Sequence, residues 1–410
     1  MIVARSRLRL PVALAVLAVA VAGCGGSSKH ASLRPTVAEG CSTAVASASV
    51  LRGVQTTMLP VAGAPFGVAT TSDGRWSFVD EFGAGGSRVA VFSDARGVPR
   101  LVRSIPLPTS AVGNALTDDG RYLLAADGGS GAAVVSVVRA EGGAANPVLG
   151  RLERTAPRKG ARLGVLGGGA IEAAGSRDGR YVFVSVEYGD AVAVYDLQTA
   201  LTDHFSRGSY LGSVPLGRAV VGMAVSPDGR WLYVTSKIAA GARTLSSPGT
   251  LSVISIAKAE QDPARSVVAT AQAGCQPVRV VVSADGRTVW VTARASDALL
   301  AFSAAKLIRS PARALLAAVR VGEAPVGLAL VRHGSLVVVA DSNRFSAHGA
   351  HAALTVVDAA AALAQRPAIV GTIPAGLFPR EMSLVPPGRT LLVGNFASDQ
   401  LAAVNLSAVP

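Results

Sequence analysis

Apolar residues occur along this chain in short runs, and the runs are separated by a recurring Asp-Gly turn. Small residues dominate the run before the turn, as at 222–225, while aromatic and β-branched residues dominate the run after it, as at 231–235. Asp-Gly between two such runs predicts a tight β-hairpin, because glycine readily adopts a positive φ and the Asp side chain bonds its own backbone.

The turn recurs seven times, at intervals of 46 to 59 residues, in five copies as Asp-Gly and in the last two in degenerate form. Its glycines are Gly74, Gly120, Gly179, Gly229, Gly286, Gly334 and Gly388. In the first five copies a Ser or Thr lies three residues before the glycine. A third apolar run follows a variable loop, and a fourth, such as 369–374, precedes the next unit. Four strands in a unit of this length predict one propeller blade, so the chain predicts an all-β, seven-bladed β-propeller.

The first strand of the domain is predicted to close the ring. The last unit ends near residue 406 with three strands, and segment 57–63 closely matches the fourth-strand segment 372–376. We therefore expect the N-terminal segment to supply the outer strand of blade seven, which removes an exposed sheet edge. The propeller is assigned to residues 51–410.

The most regular unit is similar in sequence to a known repeat. Residues 226–236, followed by 251–256, resemble the YVTN-type β-propeller repeat, and the resemblance extends over residues 54–406. It implies the propeller fold. The same superfamily contains surface-layer and binding propellers as well as seven-bladed lactonase-like enzymes, so the resemblance leaves function open.

The N-terminus predicts export. Three arginines, Arg5, Arg7 and Arg9, precede an apolar run that ends in small residues before Cys24. This is typical of a signal peptide over residues 1–23, and the small residues before Cys24 resemble a bacterial lipobox. An ordinary signal peptide with a chance cysteine is the alternative. The lipobox implies lipidation of Cys24, a flexible tether over 24–50, and an extracytoplasmic protein anchored to the cell membrane.

The net charge of the chain does not alter the predicted fold or location. The formal net charge is +13, and removal of the three leader arginines lowers it by three, to +10. The arginines are scattered and form no basic stripe with interleaved aromatic residues, which argues against nucleic acid as a partner. No phosphate loop, haem motif, metalloprotease helix or nucleophile elbow is present. We expect a monomer without cofactor or metal; His348 and His351 lie three residues apart but would need a third ligand.

Lipidation of Cys24 would leave two cysteines, Cys41 and Cys275. Such a pair can form a disulfide in an oxidising compartment, but sequence gives no distance between them, so pairing and free thiols both stay open.

Candidate site residues emerge when equivalent positions of the units are compared. The residue seven before the turn glycine is glycine in four units and Glu172, Arg279 or Glu381 in the other three, and Arg380 adjoins the last. The innermost strands line the channel, so these charges need partners, water or a ligand. Loops that open on the same mouth add Glu81, Asp127 and Asp341. Ion pairs across a water-filled channel are the alternative to a ligand site.

Two functions fit these residues. The first is a module that binds a small ligand or an envelope protein at the channel mouth. The second is a lactonase-like hydrolase, in which Glu172 or Glu381 would activate water and Arg279 would hold an oxyanion. The export signal and the lack of a catalytic motif favour the binding module.

Overall fold

The computed structural model describes residues 41, 45–83, 86–94, 98–153, 168–205, 207–242, 244–344 and 352–410. The predicted signal peptide and Cys24 lie outside these residues, as do His348 and His351. No described helix is both long enough and apolar enough to cross a membrane.

Seven antiparallel sheets of four strands each form the fold, which confirms the predicted seven-bladed propeller. Strand β1 (Thr56–Pro60) comes first in the chain. The blades that follow are built from β2 (Ala64–Thr70), β3 (Trp76–Phe82), β4 (Arg88–Ser93) and β5 (Arg100–Pro106); β6 (Asn114–Leu116), β7 (Tyr122–Ala126), β8 (Ala132–Ser136) and β9 (Val148–Leu152); β10 (Ala170–Gly175), β11 (Tyr181–Val186), β12 (Ala191–Asp196) and β13 (Tyr210–Pro215); β14 (Arg218–Val225), β15 (Trp231–Ile238), β16 (Pro248–Ser255) and β17 (Val267–Cys275). The last three comprise β18 (Pro277–Val282), β19 (Thr288–Ala293), β20 (Ala298–Ser303) and β21 (Leu315–Arg320); β22 (Pro325–Val331), β23 (Leu336–Asp341), β24 (Ala353–Asp358) and β25 (Ile369–Pro374); and β26 (Pro379–Val385), β27 (Thr390–Asn395) and β28 (Gln400–Asn405).

Short helices connect the third and fourth strands of blades two to six. They are α1 (Val137–Glu141), α2 (Leu197–Thr202), α3 (Ile256–Ala259), α4 (Ala304–Arg309) and α5 (Ala359–Leu363). The core lies between neighbouring blades, where the facing strand surfaces pack together; Tyr233 and Leu251 of blade four, for example, share one buried cluster with Val289 and Phe302 of blade five.

The repeated turn forms as its residue types predict. In blade four the Ser226 hydroxyl donates to Oδ1 of Asp228 and accepts from the backbone N–H of Trp231 at 3.0 Å. Gly229 has a φ of +71°, the left-handed region that glycine enters without steric cost. Equivalent hydroxyl bonds occur in the other four regular copies, at Thr71, Thr117, Ser176 and Ser283.

Ring closure follows the prediction. Strand β1 pairs antiparallel with β28, with Met58 opposite Ala402, and so completes blade seven from the N-terminal side. The two ends of the chain therefore share one sheet, and the outer edge of β28 is covered.

Residues 45–55, which we call the strap, lie against the propeller before β1 begins. The Ala46 N–H donates to the carbonyl of Val321, and Leu51 and Ser49 exchange backbone bonds with Thr372 of β25. A disulfide joins Cys41 to Cys275 at the end of β17, with the Cα atoms 5.4 Å apart. Backbone groups of Ala46 and Ser49, within the segment 24–50 predicted as a tether, bond to the blades.

Candidate functional site

The innermost strands carry a β-bulge where the sequence places its unusual charges. The pairing register shifts in six of the seven blades, for instance between Pro277 and Val280 and between Pro379 and Met382. A bulge leaves backbone groups unpaired and re-aims side chains. Hydroxyls of the second strands bond the exposed N–H groups: Thr292 accepts from Arg279 at 3.1 Å, and Ser185 accepts from Glu172 at 3.0 Å.

Glu172, Arg279 and Glu381 converge on the channel and form a charged layer. Arg279 Nε lies 2.5 Å from Glu172 Oε1, and the same guanidinium also bonds Glu381 Oε1. The second oxygen of Glu172 accepts the backbone N–H of Met223 at 2.7 Å. The arginine side chain is 4% exposed, and the two glutamates are 16% and 19% exposed.

The intervening blades have glycine at the equivalent position, where the neighbouring strand leaves no room for a side chain. Blades three, five and seven supply the charges, whereas blades four and six have Gly222 and Gly327 at the equivalent position. A Cβ on Gly222 would lie 2.2 Å from the carbonyl oxygen of Val278, and one on Gly327 would lie 1.6 Å from that of Arg380. The Glu172–Arg279 pair therefore passes blade four, and the Arg279–Glu381 pair passes blade six. At the equivalent position both blades present only backbone.

Two carboxylates share one guanidinium in this layer. Burial raises the pKa of Glu172 to about 7, and the charge of Glu381 adds to this rise, although Arg279 opposes it. Burial also disfavours the charge on Arg279, but its two carboxylate partners outweigh that effect and raise its pKa. Arg279 thus stays charged at any ordinary pH.

A cavity of about 340 Å³ lies on the turn side of the charged layer. Glu172, Arg279 and Glu381 line it together with small apolar strand residues, and Asp118 and Arg177 lie towards its turn-side end. Asp118 and Arg177 form an ion pair with each other. The cavity therefore opens at the mouth formed by the Asp-Gly turns. The candidate loops predicted from the sequence lie at the opposite mouth.

An apolar layer covers the other side of the charges. Val221, Val278 and Val326 each directly precede the equivalent position in blades four, five and six, and pack with Ile171 and Phe378 into one cluster. The three valines are only 2–3% exposed. Because the innermost strands begin at the mouth formed by the second-to-third-strand loops, this cluster separates the charged layer from that mouth over these blades.

Arg380 lies at that loop mouth and is surrounded by three phenylalanine rings. Its guanidinium is 3.8 Å from the ring centroid of Phe66, 4.9 Å from Phe378 and 5.4 Å from Phe396. Stacking on aromatic faces suits a planar guanidinium. Its Nε is buried and bonds no partner among the described residues. Burial and the charges of Arg279 and Arg344 lower the pKa of Arg380 to about 9, which still leaves it cationic at neutral pH.

The remaining predicted residues stay within their own blades. Glu81 is buried, accepts the N–H of Ala62 at 3.1 Å and lies 3.8 Å from Arg88. Asp127 accepts the N–H groups of Gly129 and Gly131 and pairs with Arg151 at 2.6 Å. Asp341 accepts the Thr355 hydroxyl at 2.5 Å. The structure thus brings Glu172, Arg279 and Glu381 together. The three loop carboxylates instead bond groups of their own blades.

Other basic residues share the loop mouth with Arg380, and the comparison of equivalent positions missed their grouping. Lys237, Arg294 and Arg344 come from blades four, five and six, at the end of the second strand or in the loop after it. Lys237 pairs with Glu187, Arg294 bonds Gln276, and Arg344 lies 5.3 Å from the ring centroid of Phe378. Lys237 and Arg294 each lie eight residues after the turn glycine and Arg344 lies ten after it, so a comparison seven residues before that glycine does not reach them.

Similarity to known proteins extends to the fold alone. No protein-family model matches the chain, and no curated protein matches it. A solved structure described as Kuenenia stuttgartiensis hydrazine synthase matches with a TM-score of 0.62 at 16% identity, covering 88% of this chain and 100% of that one. Within the described residues, no group of three His, Cys, Asp or Glu side chains could hold a metal ion.

Proposed function

We propose that this protein is an exported, lipid-anchored binding module whose ligand docks at the loop mouth of the propeller channel. The observation that carries the proposal is the state of Arg380: a half-buried guanidinium, held between three phenylalanine rings, whose Nε bonds nothing among the described residues. A buried polar group without a partner is costly, so its presence calls for an explanation such as a bound ligand or an ordered water. Contact with three rings restricts the conformations open to the Arg380 side chain, and such preorganisation lowers the entropic cost of binding.

Hydrolysis by the channel carboxylates is the second candidate. A pKa of about 7 for Glu172 would suit a general base or acid. Both of its oxygens, however, are already engaged, one by Arg279 and the other by the N–H of Met223. A general base needs a free oxygen within hydrogen-bond reach of the water it activates. The contacts therefore favour a structural role for the charged layer over catalysis.

Export and lipid anchoring rest on the N-terminal sequence, and the disulfide supports them. The Cys41–Cys275 bond suits an oxidising compartment outside the cytoplasm. Sγ of Cys41 lies 2.9 Å from the carbonyl oxygen of Ser246, in the loop between β15 and β16. The segment that would lead to the anchor thus meets the propeller on the side of the loop mouth.

Thermal-shift measurements can test the binding proposal. A panel of anionic, neutral and cationic small molecules, several lactones among them, is applied to a soluble chain that begins at residue 25. We expect at least one compound to stabilise the protein without being consumed, and the double variant Arg344→Gln/Arg380→Gln to abolish that shift. Lactone turnover that is lost in Glu172→Gln would instead establish the hydrolase.

A further inference from the structure

Four basic side chains from consecutive blades form a cationic arc at the loop mouth. Lys237, Arg294, Arg344 and Arg380 belong to blades four, five, six and seven. Their charges act on one another: Arg344 and Arg294 both lower the pKa of Arg380, Arg344 lowers that of Arg294, and Arg294 lowers that of Lys237. Like charges repel, so proteins group them where something else compensates the repulsion.

Nearby carboxylates compensate only part of this charge. Those that act on the arc are Glu187, which pairs with Lys237, and Glu172 and Glu381, which share Arg279. Counting Arg279 with the arc, five cations face three carboxylates. Arg344 and Arg380 do not pair with a carboxylate among the described residues.

The two arginines differ in exposure in a way that suits a binding site. Arg344 is exposed and lies over one face of Phe378, while Arg380 is half-buried and shares that ring. Phe378 therefore lies within 5.3 Å of both guanidinium groups. Neither guanidinium pairs with a carboxylate among the described residues, so the edge formed by its two terminal nitrogens is left to bond a ligand. Such edges match carboxylate or phosphate oxygens in a bidentate arrangement.

We propose that the cationic arc binds a small polyanion with at least two carboxylate or phosphate groups, one held by Arg380 and another by Arg344. This inference rests on the proposed binding function and names the chemistry of its ligand. Phospholipid headgroups offer the same phosphate chemistry as a soluble anion, so the test includes both sources.

Isothermal titration provides the test, with the soluble chain that begins at residue 25. The soluble probes are citrate and pyrophosphate, with glycerol as the neutral and spermidine as the cationic comparison. Vesicles of phosphatidylglycerol, compared with phosphatidylcholine, report on headgroups. We expect saturable binding of a soluble anion that weakens as salt is raised. Binding to phosphatidylglycerol vesicles alone, if Arg344→Gln removes it, would support the same site with a headgroup as its source.

Three variants locate the site. Arg344→Gln and Arg380→Gln should each weaken anion binding by about tenfold or more, because each removes a charge-assisted contact. Arg366→Gln, which removes an exposed charge near the end of α5, should change affinity by less than about twofold. Arg344 is exposed, so its variant stays informative even if Arg380→Gln destabilises the fold.

Two results would overturn the inference. One is the absence of binding by every anion and by the anionic vesicles; the other is anion affinity that Arg344→Gln leaves unchanged. A neutral or cationic compound that stabilises the wild type and loses its effect in the double variant would contradict the anion assignment but leave the binding module standing, so the two proposals can fail separately.

Discussion

Arg279 Nε lies 2.5 Å from Oε1 of Glu172, although blade four separates the strands that carry them. Blade four has Gly222 at the equivalent position, where a Cβ would lie 2.2 Å from the carbonyl oxygen of Val278. A buried guanidinium with two carboxylate partners ties blades three, five and seven together across the channel. We regard this layer as a structural element of the ring.

Removal of Arg279 should therefore destabilise the protein severely. Arg279→Met leaves two carboxylates facing each other, and loss of one partner from a buried ion pair costs about 3–5 kcal/mol. Denaturant unfolding measures the effect, with Arg366→Met as the matched control at an exposed site. In a double-mutant cycle with Glu172→Gln, the combined variant should recover part of the loss. Strictly additive effects would contradict the structural role.

Asp341 should make stability depend on pH. Burial raises its pKa from 3.8 to about 8, against the lowering effect of the Thr355 hydroxyl. The folded protein therefore retains a proton that the unfolded chain loses, so stability falls as pH rises between these values, by up to about 1.4 kcal/mol per pH unit. Asp341→Asn should flatten this decline, whereas Asp399→Asn, at an exposed site, should not. An unchanged slope for Asp341→Asn would show that the carboxyl is ionised in the fold.

Truncations can separate the contribution of the strap from that of strand β1. A chain that begins at residue 56 loses the strap and the disulfide, which closes a loop of 234 residues, and should lose about 2–5 kcal/mol. A chain that begins at residue 64 also loses β1, exposes the edge of β28 and should aggregate or unfold. Cys41→Ser in the untruncated chain separates the contribution of the disulfide from that of the strap. Equal denaturant midpoints for the two truncations would contradict closure by β1.

Lipid anchoring makes a cellular prediction. Cys24→Ser should release the protein from the membrane fraction or block its processing, because the acyl chains would have no thiol to occupy. Cys41→Ser serves as the control, since it removes a cysteine without touching the lipobox. Fractionation and mass analysis of the mature N-terminus measure both. A Cys24→Ser protein that stays membrane-bound with an unaltered N-terminus would contradict the anchor.

The fold and part of the channel could be predicted from the sequence because both repeat. The Asp-Gly turns recur in register, and the departures from glycine at one position identified Glu172, Arg279 and Glu381, which the structure brings into contact. The strap could not be predicted, since its contacts with Val321 and Thr372 are made by backbone groups that any sequence has. The aromatic surrounding of Arg380 depends on the bulge in β26 and on Phe66 of blade one, which is far away in sequence.

The most direct measurement is a comparison of citrate affinity between Arg380→Gln and Glu172→Gln, by isothermal titration against the wild type. The two changes alter neighbouring charges in the same channel, one at the loop mouth and the other in the charged layer. If the protein is a binding module that uses the loop mouth, Arg380→Gln should weaken binding by about tenfold or more, and Glu172→Gln should leave the affinity within about twofold. Binding that survives Arg380→Gln but is lost in Glu172→Gln would contradict the account and place the ligand in the channel cavity.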